Sequence, residues 1–157
     1  MSEFIYTLTI TAALGSAIIG GIMYAFSTFV MRSFAQLVPA QGIEAMQVIN
    51  RTIINPWFLS VFMGTALISL GLGGNAIWHF QQEDTIYVLA GSLLYLIGVF
   101  LVTMIFNVPM NDALEAESAS SMEAAELWNS YLSRWTFWNH VRTAAAILGA
   151  LAFILAA

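Results

Sequence analysis

Cysteine and lysine are both missing from this 157-residue chain. Without cysteine there can be no disulfide, no thiolate metal site and no thiol nucleophile. Without lysine, the strong cations reduce to Arg32, Arg51, Arg134 and Arg142, too few to neutralise a run of phosphates, which excludes nucleic acid as a partner. Charge of either sign is scarce: 8% of residues are charged, against about a quarter in ordinary soluble domains, while 60% are hydrophobic. Water is therefore not the main solvent of this chain; a lipid bilayer is. The start Met1-Ser2-Glu3 lacks the basic residues of a secretory signal, so the apolar run that follows is expected to be retained.

Four apolar runs are each long enough to cross about 30 Å of hydrocarbon as a helix: residues 4–31, 56–78, 85–109 and 135–157. The fold expected is all-α, an integral membrane four-helix bundle forming one domain over 1–157. Asn55-Pro56 is a start signal for the second span, since asparagine caps free amides and proline loses nothing in the first turn. In the first span Ala12, Ser16 and Gly20, beside Ala13, Ala17 and Gly21, form two small-residue edges that let another helix approach. Between spans one and two, Ile43, Met46, Ile49 and Ile53 share a helical stripe, with Glu44, Gln47 and Arg51 on the other side, which predicts a short interfacial helix. Ser120 and Glu123 have capping-box spacing, predicting a helix that runs into the last span. On it Trp128, Tyr131, Leu132, Trp135, Asn139 and Arg142 would share one face.

Four spans place the connections 32–55 and 108–134 on one side, with all four arginines on or near it. The positive-inside rule makes that side cytoplasmic and puts both termini on the non-cytoplasmic side. Asn139, His140 and Arg142 then lie within the membrane edge, a costly place for polar groups unless they face a cavity or a partner. The plainer alternative is that Arg142 snorkels and that Trp128, Trp135 and Trp138 form an interfacial belt. Asn107, Pro109 and Asn111 either line a polar pocket or cap the end of the third span, and Asn55 carries the same ambiguity. Their shared side lets Asn55, Asn107, Asn111, Asn139, His140 and Arg142 converge. The two histidines, His79 and His140, fall on opposite sides, and the acidic residues 112–126 have no ligand spacing, so no metal site is expected.

The runs Phe26-Ser27-Thr28-Phe29-Val30-Met31, Gly42 to Asn50 and Asn55-Pro56-Trp57-Phe58 resemble the first half of the anthrone oxygenase-like membrane proteins. Asn107-Val108-Pro109-Met110-Asn111, Trp128 with Tyr131, and the block Trp135 to Thr143 are similar to later motifs of that family, so the resemblance covers nearly the whole chain. It implies a cofactor-independent oxygenase of a flat aromatic, anthrone- or quinol-like, working in a bacterial inner membrane. In those terms His140 would be the base that forms an enolate, and Arg142 with Asn139 or Asn111 would stabilise its oxyanion. Trp128, Tyr131 and Trp135 would stack on the substrate, in a pocket shared with Asn55 and Asn107. Two other readings stay open. The pocket would bind an apolar ligand, a quinone, or a haem with His140 as axial ligand, without catalysis. Or the small-residue edges would serve a helper subunit or a homo-oligomer.

Overall fold

The computed structural model describes residues 2–79 and 85–157, and among these there are helices and connections but no strand. Four helices are long and apolar enough to span a membrane: α1 (Glu3–Phe34), α3 (Pro56–Trp78), α4 (Thr85–Glu115) and α5 (Met122–Ala156). The shorter α2 (Pro39–Thr52) joins α1 to α3. The all-α bundle expected from the apolar runs is the fold observed.

Local chemistry explains most helix ends. Ser2 accepts from the Ile5 amide at the start of α1, and Asn55 accepts from the Phe58 amide at the start of α3, with Pro56 in the first turn. At the start of α5 the cap is Ser121, which accepts from Ala124, and not Ser120, whose hydroxyl bonds that of Ser118. Pro109 does not end α4. The turns before it widen to π geometry at Leu94–Leu101 and Thr103–Asn107, and the helix continues to Glu115 despite the amide proton that proline lacks. Gln47 leaves the polar face of α2 and is buried, because its amide donates to the Leu114 and Glu117 carbonyls where α4 runs out of partners.

Helix α5 is central and lies antiparallel to both α1 and α4. Ala12 packs near Phe153 at one end of the bundle, Gly20 meets Ala146 midway, and Ser27 meets Thr143 further on. Against α4 the order is Gly91 with Phe153, Gly98 with Ala145, Thr103 with Arg142 and Asn111 with Tyr131. Glycine is required where backbones come closest. A Cβ on Gly98 would lie 2.4 Å from that of Ala145, and one on Gly15 would lie 1.9 Å from the Thr65 hydroxyl. Of the two small-residue edges of α1, Ala12, Ser16 and Gly20 are buried while Ala17 and Gly21 are exposed, so one edge is spent inside the bundle.

The exposed tryptophans spaced for an aromatic belt lie on α3. Trp57 and Trp78 are each 86% exposed. Their separation along the helix is about 31 Å at 1.5 Å per residue, the thickness of the hydrocarbon core. Trp128 and Trp135 are buried instead, so they are not belt residues. A helix as long as α5 exceeds the bilayer, and its first turns, with α2 and the end of α4, form a cap packed around Ile43, Met46, Leu114 and Trp128.

Candidate functional site

The site is assembled where that cap meets the membrane-spanning part of the bundle. Asn139 on α5 is fully buried against α1, where its amide donates to the Met23 carbonyl at 2.7 Å and to the Ser27 hydroxyl at 2.8 Å. Ser27 lies in a π-helical turn, Phe26–Val30, and also shares a 3.0 Å hydrogen bond with Thr143. With its donors so used, the Asn139 carbonyl oxygen faces the other way and accepts from Arg142 Nη2 at 2.7 Å. On the opposite side Arg142 Nη1 donates to the Thr103 hydroxyl of α4 at 3.2 Å, and the guanidinium carbon lies 5.1 Å from the Trp135 ring centre. Thr103 is free to accept because its own proton goes to the Val99 carbonyl.

Arg142 is thus 6% exposed and held on three sides, yet no carboxylate among the described residues neutralises it. The ion pair among the described residues is Arg51–Glu115, at the cap surface, and Arg142 Nε has no hydrogen-bond partner there. A buried cation without a counter-ion is expensive in a bilayer, and such a residue ordinarily faces a cavity or a ligand. Here it faces a cavity of about 440 Å³, within the usual range for small-molecule sites, roughly 300–1,000 Å³. The walls are apolar, from Ile22 and Phe26 on α1, Met46 on α2, and Phe58 and Phe62 on α3. Asn139, Arg142, Thr103, Trp135 and Asn111 form the polar wall, while Arg51, Asp112 and Glu115 stand at the exposed mouth.

The anthrone oxygenase family matches residues 57–152, more than half of the chain. This chain belongs to the anthrone oxygenase family. The matched stretch contains α3, α4 and most of α5, and with them Thr103, Asn111, Trp135, Asn139 and Arg142; Ser27 and α2 lie outside it. No curated protein and no solved structure matches the chain.

The anthrone oxygenase fold brings together some of the residues singled out by sequence and separates others. Asn111, Trp135, Asn139 and Arg142 line the cavity. Tyr131 and Trp128 stand behind it in a stack with Trp135, ring centres 5.8 and 5.5 Å apart along the series. The Asn111 carbonyl oxygen accepts from both the Tyr131 hydroxyl, at 2.7 Å, and the Trp135 indole, at 2.8 Å, which fixes the angle of the indole under Arg142. Asn107 is buried one layer back, donating to the Trp135 carbonyl. Asn55 stays at the start of α3 as a cap. His140 does not join the cluster: it is exposed and lines a separate shallow groove between α1 and α5 with Arg32 and Tyr24. One residue along a helix turns the side chain by about 100°, so the neighbour of an inward asparagine points outward. A haem or an enol in the cavity would therefore not meet this imidazole. Ser27, Thr103 and the mouth residue Asp112 were missed by sequence reading. For Thr103 a signal existed, a lone hydroxyl among apolar residues four before Asn107, but its relevance depended on the pairing with α5.

Proposed function

We propose that this protein is a membrane-embedded oxygenase that converts the activated methylene of a flat aromatic ketone, of the anthrone type, to a carbonyl with dioxygen directly. The observation that carries the reading is the buried Arg142, paired with no carboxylate among the described residues, facing an apolar cavity beside the Trp135 ring. Such a cation stabilises an enolate oxygen far more than the neutral ketone, which is the differential that accelerates enolisation. Loss of one C–H proton gives the enolate; its carbon adds dioxygen, forming a C–O bond, and protonation gives a hydroperoxide. Loss of the second C–H proton with O–O cleavage leaves the carbonyl and water. The proton acceptor we assign is Asp112, not His140. Along α4 it stands nine residues beyond Thr103, and both line the cavity, Thr103 beside Arg142 and Asp112 at the mouth, with the ring system between them. Glu115, the other mouth carboxylate, is tied to Arg51. Neutral enolisable substrate held against Trp135 gains ring stacking as well.

The test is dioxygen uptake by metal-stripped protein with a hydroxyanthrone, after subtracting spontaneous autoxidation. Arg142→Gln should lower kcat about 10²–10³-fold, with lysine restoring only part, since a point charge replaces a planar fork. Asp112→Asn should lower turnover while His140→Ala retains it. Wild-type turnover in Arg142→Gln, or activity that vanishes on metal stripping, would sink the mechanism. Tight binding with no uptake would leave a ligand-binding protein of the same specificity.

A further inference from the structure

The cavity has two exposed rims, and they differ in chemistry. One is the aqueous mouth at Arg51, Asp112 and Glu115. The other is lateral. Helix α3 packs on the first half of α4, with the Tyr95 hydroxyl donating to the Phe62 carbonyl and the Phe62 and Phe100 rings 5.7 Å apart, but it scarcely touches Thr103–Glu115. The first turns of α3 and that second part of α4 are thus not in close backbone contact. The edges are apolar: Leu59 and Met63 on α3 and Met104 on α4 line the cavity and are exposed. Met63 lies six residues into the helix from the belt residue Trp57, about 9 Å below the interface, and Met104 adjoins Thr103, the partner of Arg142. This apolar edge therefore lies at the level of Thr103 and Arg142, and its side chains suit hydrocarbon rather than water.

We infer that the site is loaded sideways from the bilayer through a window at this edge, and that its substrate class is a lipid-dissolved aromatic with one acidic oxygen and a hydrocarbon substituent. The acidic oxygen reaches Arg142, the ring system lies against Trp135 and Phe62, and the substituent trails between Met63 and Met104 into the lipid. This rests on the reading of the cavity as an aromatic site but goes further, because it states the route and the part of the ligand that stays outside. Two observations point the same way. Among the described residues the cation has no carboxylate and its Nε no partner, which calls for an oxygen acceptor. The ionic mouth, with Glu115 closed over by Arg51, is a poor route for an apolar ring system, since passage would require desolvating those charges.

The experiment uses the full chain in lipid nanodiscs and three probes: 1,8-dihydroxyanthraquinone, the same ring system carrying a dodecyl chain, and the same ring system carrying a sulfonate. Binding is read from quenching of tryptophan fluorescence. The plain and dodecyl probes should bind the wild type, and Arg142→Gln should weaken both. Met63→Trp with Met104→Trp should weaken the dodecyl probe at least about tenfold more than the plain one, a difference of about 1.4 kcal/mol. Should the double variant not fold, a dodecyl probe with a diazirine on its chain is irradiated with wild type, and cross-links are expected at Leu59, Met63 or Met104. Binding of the plain probe with exclusion of the dodecyl one, or preference for the sulfonate, would overturn the window and leave the aromatic site intact. Absence of binding by all three would instead overturn the reading of the cavity itself.

Discussion

Replacing Asn139 by leucine, alone and together with Arg142→Leu, measures how the site is held. In the wild type Asn139 donates to the Met23 carbonyl and the Ser27 hydroxyl and accepts from Arg142. Polar contacts inside membrane bundles average about 0.6 kcal/mol each, so the two donated bonds together contribute about 1.2 kcal/mol. A hydrogen bond to a charged group contributes about 1.5–3 kcal/mol, and its loss leaves a buried guanidinium short of an acceptor. Asn139→Leu should therefore destabilise by roughly 3–4 kcal/mol with arginine at 142. With leucine at 142 the charged contact is already gone, and the same change should cost only about 1 kcal/mol, giving a coupling of about 2–3 kcal/mol. Met23 and Ser27 keep other partners, the Phe26 amide and Thr143, so neither is stranded in the variants. The assay is reversible unfolding of the purified protein in mixed micelles titrated with a denaturing detergent. Equal costs in the two backgrounds would refute the view that Asn139 is the acceptor positioning Arg142, and would reduce it to a packing residue between α1 and α5.

Two further outcomes test the packing. Gly98→Ala should destabilise by about 1–3 kcal/mol in the same titration, because its Cβ would overlap that of Ala145, whereas Gly64→Ala, with nothing within 4 Å, should change little. Single cysteines placed in this cysteine-free chain at 128, 135 and 142 should resist a thiol reagent, while those at 126, 130 and 133 react, since the first set is buried and the second exposed. Equal labelling would show that the first turns of α5 are not packed as described.

The span count, the buried face of α5 and its extension before the membrane were legible in the sequence because each is a one-dimensional property. Hydrocarbon thickness selects runs of a given length, and the helical repeat places Trp128, Tyr131, Trp135, Asn139 and Arg142 on one stripe. The same repeat, applied one residue further, already turns His140 outward, but choosing which of two adjacent polar residues faces in requires knowing which flank of α5 meets α1 and which meets α4. Only the tertiary structure decides that. Gln47 and Pro109 show the same limit: the first reads as surface and the second as a stop, until a neighbouring helix end needs the Gln47 amide and widened turns carry α4 past the proline. Thr103 joins the site through a helix separated from Arg142 by a turn and dozens of residues, and Ser27 through α1. The sequence by itself determined that this chain lives in a bilayer as four helices with its polar residues near one face, since apolar length and periodicity leave no other solvent. That no carboxylate among the described residues pairs with Arg142, and that α3 stops following α4 beside its cavity, are facts of helix packing, set in part by where glycines allow contact.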